Sequence, residues 1–273
     1  MLSQAQIQQY DREGWLFLPA VFGEDEAAMM LHEAQQIYAM DRQEVFREKD
    51  GKTARTAFAA HTYNEVFGRL ARHPRLIGPI EQVLGDRLYV HQFKLNAKAA
   101  FDGDQWQWHQ DFGTWHRDDG MPEARAMNIA VFLDPVTEFN GPLMFVLGSH
   151  RDGPATSTLD TVTTSFDLWT VGPDVVGPLA ERGGLSCPKG PPGTMLMFGD
   201  AIVHASPPNM SPWPRRIFSL IVNPVSNHQR SDRRADHFHH RDLTPLGASK
   251  ANCGAPTPTH TPDSTHRSAS TTP

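Results

Sequence analysis

The sequence predicts a mainly β fold with flanking helices, an antiparallel barrel or jelly roll of the cupin-like kind. Three observations carry this. From residue 87 onward, short runs with alternating apolar side chains recur between Gly and Pro, the punctuation of an antiparallel barrel. Ahead of them, residues 3–84 hold most of the runs with helical propensity. The chain has 273 residues, a size that one all-β domain reaches and that can bury a sizeable core.

Taken in order, residues 3–13 read as a short helix with Ser3 as N-cap and Gly14 as its stop. WLFLPAVF (15–22) is an apolar run of strand type, and residues 24–40 form a second helix. The polar stretch FREKDGKTAR turns at Asp50-Gly51. Residues 63–72 and 74–84 read as two helices broken at His73-Pro74. Strands follow at 87–98, 124–134 and 141–150. Two short strands joined at Gly199-Asp200 occupy 193–206, and the last strand is 215–225. Residues 151–184 have no sustained period and read as an insertion or lid. Residues 247–273 are mostly Ser, Thr, Pro, Ala and His and read as a disordered tail. The expected organisation is one domain over 1–246 followed by that tail.

The chemistry is concentrated in few residues. His109 and Asp111 form an H-x-D step, and His204 lies 95 positions further on. On a strand or its frayed end, residues two apart share a face, so both can aim at one point while His204 arrives from a distant strand. Two imidazoles and a carboxylate occupy one face of an octahedron around iron(II) and leave positions open for a cosubstrate and O2. With fourteen histidines in the chain, H-x-D alone is a weak pattern. The aromatic surround Trp106, Trp108, Phe112 and Trp115 and the late strand bearing Arg215 strengthen it. Zinc is a rival for such a set, although no H-E-x-x-H helix is present. His116 reads as surface, His150 as a turn residue, and His237, His239 and His240 as a solvated segment.

A 2-oxoglutarate cosubstrate needs a cation for its far carboxylate, which an arginine meets with two parallel hydrogen bonds. Arg215 and Arg216 point in opposite directions on a strand, so only one of them faces inward. Ser206 is placed to donate one more hydrogen bond. For a substrate carboxylate, Arg125, Lys94 and Arg55 are candidates that the sequence does not separate.

Composition bounds the rest. A net charge of −6 and an isoelectric point near 6.1, with no block of like charges, argue against a nucleic-acid partner. No apolar run is long enough to span a membrane, and the N-terminus has no secretory pattern. Two cysteines in Gly/Pro-rich surroundings point to a reducing, cytoplasmic setting rather than a disulfide scaffold. The expected partner is a small-molecule substrate.

Seven segments together carry a resemblance to a known family: EKDGKTAR (48–55), HPRLIGP (73–79), YVHQFKLNAK (89–98), WQWHQDFGTWHRDDGMP (106–122), TEFNGPLMFVLGSH (137–150), VHASPPNMSPWPR (203–215) and RDLTPL (241–246). Over residues 5–246 the chain resembles the phytanoyl-CoA dioxygenase-like superfamily. The resemblance lies in the bacterial branch of free amino acid hydroxylases, which holds ectoine, proline and leucine hydroxylases. It implies a double-stranded β-helix, with His109, Asp111 and His204 as ligands of Fe(II). It implies Arg215, helped by Ser206 and Asn96, as the holder of 2-oxoglutarate. It implies Trp115 and Gln92 at the substrate. In the strand after Arg215, Ile217 and Ser219 replace polar and aromatic residues of the ectoine hydroxylases. KDGKTAR, TEFNGP and RDLTPL are closer to the leucine and proline enzymes. The implied activity is hydroxylation of an unactivated C–H of a small aliphatic or cyclic free amino acid. The alternatives are an ectoine-type substrate, a carrier- or CoA-bound substrate, and a barrel that binds a small ligand without turnover. No basic patch for docking a carrier is evident.

Overall fold

Alternation along the strands builds the architecture. The structure, a computed structural model, describes residues 1–247; apart from Gly247, the expected tail lies outside the described residues. The N-terminal part runs α1 (Gln4–Glu13), β1 (Trp15–Leu18), α2 (Glu24–Tyr38), β2 (Val45–Arg47), β3 (Ala54–Phe58), α3 (Ala60–Tyr63), α4 (Glu65–Leu70) and α5 (Pro74–Leu84). The middle comprises β4 (Leu88–Lys98), β5 (Trp106–His109), α6 (Asp111–Asp119), β6 (Met127–Phe132) and β7 (Met144–Val146). Then come β8 (Ser157–Asp160), β9 (Leu168–Val171), α7 (Pro173–Gly183), β10 (Leu185–Ser186), β11 (Met195–Gly199), β12 (His204–Ser206) and β13 (Arg215–Pro224).

The strands form a seven-stranded sheet, β1-β11-β6-β13-β4-β3-β2, a four-stranded sheet, β10-β7-β12-β5, and the hairpin β8-β9. Their pairings are antiparallel. The result is the jelly roll, a double-stranded β-helix with flanking helices.

Because successive side chains leave opposite faces of a strand, the large sheet has one apolar face and one mixed face. Phe93 and Leu95 of β4, Ile129 and Val131 of β6, Met195 and Met197 of β11, and Phe218 and Leu220 of β13 belong to one apolar cluster. Met30, Ala34 and Ile37 of α2, Phe67 of α4, and Leu76 and Ile80 of α5 complete it. The intervening residues Gln92, Lys94 and Asn96, with Asn128, Ile217 and Ser219, face inward and line a cavity between the sheets. That inner space is closed at one end by Phe132, Phe145, Leu196 and Phe198.

Local signals explain the element ends. Ser3 Oγ accepts from Gln6 N while the Gln6 side chain returns to Ser3 N, and Gly14 closes α1 in the left-handed conformation at φ 83°. Pro74 opens α5 behind an N-cap at His73, whose Nδ1 accepts from Arg75 N at 3.1 Å.

Several expectations need correction. Residues 19–22 leave the strand after Leu18. The stretch around Asp50-Gly51 is the turn of a β2–β3 hairpin that joins the large sheet; its polar tip hides the strands that flank it. The helix expected over 63–72 is two short ones split at Asn64, whose side chain caps the second. The 141–150 strand shortens to three residues followed by a 3-10 turn. The 151–184 segment contains β8, β9 and α7. The segment with His237, His239 and His240 is packed rather than solvated throughout: His237 is half-buried, and His239 and His240 are buried beside β4, where His240 N donates to His91 O. Among the described residues, no helix is long and apolar enough to cross a membrane.

Candidate metal centre and substrate cavity

The two histidines meet through backbone register. β5 and β12 are neighbours, and His109 and His204 are direct cross-strand partners, which brings their ring centroids to 4.1 Å. Asp111 joins them differently from strand alternation. The chain passes from strand to helix after Gln110, so Asp111 is the first residue of α6. A carboxylate there is favoured by the positive end of the helix dipole. Gln110 pins the junction, donating to Ala201 O at 2.6 Å and Gly153 O at 3.0 Å and accepting from Ala155 N. His109 Nε2 lies 3.7 Å from one Asp111 oxygen and His204 Nε2 lies 3.8 Å from the other. One ligand atom from each of the three lies within 4.8 Å of the others, and all three side chains are buried.

These groups fit a divalent metal. His109 Nδ1 contacts Gln107 O at 2.6 Å and His204 Nδ1 contacts Ile202 O at 3.0 Å. Each carbonyl can only accept, so the proton sits on Nδ1 and Nε2 keeps its lone pair toward the centre. Burial, followed by the neighbouring His204, pulls the His109 imidazole down to about 3. Burial also lowers His204. Both rings are therefore neutral ligands at pH 7. Burial pushes the Asp111 carboxyl up, but Lys94, His204 and His109 outweigh it and hold it below the usual range.

Behind the triad, Arg215 is 2% exposed. Its Nε and Nη2 donate to Gly141 O at 3.0 and 2.8 Å, and Nη2 also donates to Ser206 Oγ at 2.9 Å. Gly141 can offer that carbonyl because it sits at φ 76°, and a Cβ there would come within 2.7 Å of Pro207 O. No carboxylate among the described residues lies within ion-pair distance of Arg215, and burial pulls its guanidinium down to about 10. A buried, uncompensated cation beside a hydroxyl is a receptor for a carboxylate. Arg216 points away and grips Asp134 with Nε and Nη2. Asn96 also lines the cavity; Thr56 donates to its Oδ1, leaving the amide N–H groups as donors.

Trp115, Gln92 and Lys94 line the same cavity. Burial lowers the Lys94 ammonium, with Asp111 opposing that effect. Arg125 does not reach it. That side chain is held at the surface by Asp86 at 3.4 Å and by Ser226, so its placement at the substrate is corrected. Arg55 is also spent, buried against Glu48 at 3.0 Å with its guanidinium over Trp106. Sequence reasoning missed Arg234, Phe166 and Thr114, all of which line the cavity. The missed signal is Phe238 and Leu246, apolar residues in the run after β13 that mark it as packed rather than solvated.

A jelly roll holding a His-Asp-His triad, with a buried arginine behind it, defines a non-haem iron(II), 2-oxoglutarate-dependent dioxygenase. Comparison with known proteins names the family. Residues 10–217 match the phytanoyl-CoA dioxygenase (PhyH) family model, and the chain belongs to that family. It is 38% identical over 236 residues to an ectoine dioxygenase of Bordetella bronchiseptica, covering 83% of this chain and 77% of that protein. It is 36% identical over 248 residues to an L-proline trans-4-hydroxylase of Streptomyces griseoviridis, covering 87% and 92%. The crystal structure of EctD from S. alaskensis with 2-oxoglutarate and 5-hydroxyectoine superposes with a TM-score of 0.78 at 33% identity, covering 88% of this chain and 84% of that one.

Proposed function

We propose that the protein hydroxylates an unactivated C–H bond of a small free amino acid, aliphatic or cyclic, with 2-oxoglutarate and O2 as cosubstrates. The observation that carries this reading is the single cavity shared by the triad, the uncompensated Arg215 and two further cations, Lys94 near Asp111 and Arg234 paired with Asp119, among aromatic walls. One cation serves the cosubstrate. The others suit a substrate that carries its own carboxylate. The alignment with the L-proline trans-4-hydroxylase spans 92% of that protein and supports an amino acid substrate. Ile217 and Ser219 face the cavity, at positions where the resemblance implies polar and aromatic residues in the ectoine enzymes.

His109, Asp111 and His204 would hold Fe(II), and Arg215, Ser206 and Asn96 would hold the far carboxylate of 2-oxoglutarate. When bound, the metal supplies activation of O2, coupled to conversion of 2-oxoglutarate to succinate and CO2, so that one oxygen atom enters the substrate. The protein supplies position and shelter. Trp115 and Leu168 wall the cavity. Phe166 closes it from the 151–184 segment and packs on Phe58 and Phe238, the contact of a lid. Lys49 Nζ ties that segment down through Val162 O and Thr163 O. Holding one C–H at the metal determines which carbon reacts.

The test is succinate formation by purified protein with Fe(II) and 2-oxoglutarate across free amino acids and ectoine, with product mass read in parallel. An amino acid that raises succinate formation and gains one oxygen atom supports the reading. Stimulation by ectoine alone would replace the amino acid with the ectoine-type substrate.

A further inference from the structure

The residue between His109 and Asp111 directs its side chain to neither of them. Gln110 stands at the N-cap of α6 with extended backbone, φ −113° and ψ 130°, yet its side chain does not cap that helix. Ser, Thr, Asp or Asn is the usual choice at such a position. The first helical N–H groups are met otherwise: Phe112 N donates to Asp200 O and Gly113 N to Gln110 O, each at 3.0 Å. Gln110 is 3% exposed, and its amide reaches two other loops. Nε2 donates to Ala201 O and Gly153 O while Oε1 accepts from Ala155 N at 2.8 Å. Two carbonyls and one N–H fix the orientation of the amide and use both of its N–H groups.

The two loops differ in what they carry. Residues 200–201 form the turn that leads into β12, and His204 follows three positions after Ala201. That turn holds the chain on both sides of Asp111, at Gln110 and at Phe112. Residues 153–155 belong to the 151–184 segment, whose later residues Phe166 and Leu168 wall the cavity. One buried amide therefore joins the cavity wall to the step that presents two ligands. A displacement of residues 153–155 pulls on the residue next to Asp111.

We propose that Gln110 is a positioning residue that couples the seating of the 151–184 segment to the geometry of the metal ligands. The coupling is reciprocal: whatever a seated segment adds to metal affinity, bound metal adds to seating. A wall that shifts as the cavity fills is thus felt at Asp111. This rests on the metal centre and not on which small molecule the cavity takes.

The experiment uses the full chain and Co(II), an ion that accepts imidazole and carboxylate ligands as Fe(II) does and whose visible spectrum follows ligand geometry. Gln110→Ala is compared with wild type and with Asn227→Ala. Asn227 is a matched control, 2% exposed, with an amide that accepts from Glu123 N and donates to Glu123 O and Asn223 Oδ1. None of those partners flanks a metal ligand. Urea midpoints, Co(II) affinity by calorimetry, the Co(II) spectrum and chymotrypsin cleavage within 151–184, with and without Co(II), are read for each protein. Both variants should lose stability. Only Gln110→Ala should bind Co(II) roughly ten- to a hundredfold more weakly with an altered spectrum. In wild type and Asn227→Ala, Co(II) should slow cleavage of the segment; in Gln110→Ala it should not. Gln110→Asn keeps the amide but is one methylene too short to span both loops, so it should show the same losses and decides the matter if Gln110→Ala does not fold. Wild-type affinity and spectrum in the Gln110 variants overturn the proposal. So does Co(II) protection that persists in them or is missing from wild type, and so do equal losses in Asn227→Ala. A wild type that binds no Co(II) refutes the metal centre itself.

Discussion

Replacing Arg215 with Met should separate stability from function. Burial brings the guanidinium from the ordinary arginine range to about 10, a drop that costs on the order of 3 kcal/mol in the fold. Removing the side chain strands no acceptor, because Gly141 O keeps its 2.8 Å hydrogen bond from Ser206 Oγ. The three hydrogen bonds lost are thus offset by relief of the buried charge, and metal-free Arg215→Met should unfold within about 1 kcal/mol of wild type. The hold proposed for Arg215 on the far carboxylate of 2-oxoglutarate would be lost with it. Two charge-assisted hydrogen bonds correspond to about a hundredfold or more in the KM for 2-oxoglutarate. Urea denaturation of the metal-free protein and succinate formation against 2-oxoglutarate concentration are the assays. Arg216→Met is the internal control: it leaves the buried Asp134 carboxylate without its guanidinium and should cost about 3 kcal/mol of stability. If Arg215→Met lost several kcal/mol while the KM stayed within about twofold of wild type, the receptor role argued from its uncompensated charge would be wrong.

Three further outcomes follow from the geometry. His109→Ala should abolish iron-dependent succinate formation and reduce iron retained after anaerobic loading; full retention of both would remove His109 from the centre. Burial raises the Asp200 carboxyl well above the usual range. An acid raised in the folded state adds stability at low pH that is lost as pH rises, so Asp200→Asn should hold or gain thermal stability at pH 7, and a drop of several degrees would contradict this. Burial lowers His61 and His109 to about 3 and His240 to about 4. These rings stay neutral in the fold but take up protons when unfolded, so stability is present above the unfolded value near 6.5 and is lost as pH falls toward the folded values. Each contributes a slope of up to about 1.4 kcal/mol per pH unit across that window. Urea midpoints of metal-free protein that do not fall between about pH 6.5 and 4.5 would refute it.

The parts of the fold legible in the sequence are those where one local rule dominates. α1 has its capping box and terminal glycine, and β4 and β13 alternate between an apolar and a polar face over ten or more residues. Where two rules compete, the reading fails. Asp111 follows His109 at strand spacing, yet the chain turns helical between them because Gln110 anchors the turn to Ala201 and Gly153, contacts distant in sequence. The β2–β3 strands hide behind a polar hairpin tip. The triad residues could be named in advance because their types and order are distinctive. Arg234 could not, because its meaning comes from Asp119, 115 positions away. Among the three candidate cations, only packing showed that Arg55 and Arg125 are already paired.

The direct pairing of His109 with His204 has a further consequence. The spacing of two of the candidate metal ligands is written into a backbone ladder, whereas part of the cavity wall beside them comes from α6, the 151–184 segment and the chain after β13. The two imidazoles and that outer wall thus sit on different stretches of polypeptide, joined through Asp111 on α6. Rebuilding the 151–184 segment or the chain after β13 should change what the cavity admits while the ladder keeps the two imidazoles in place.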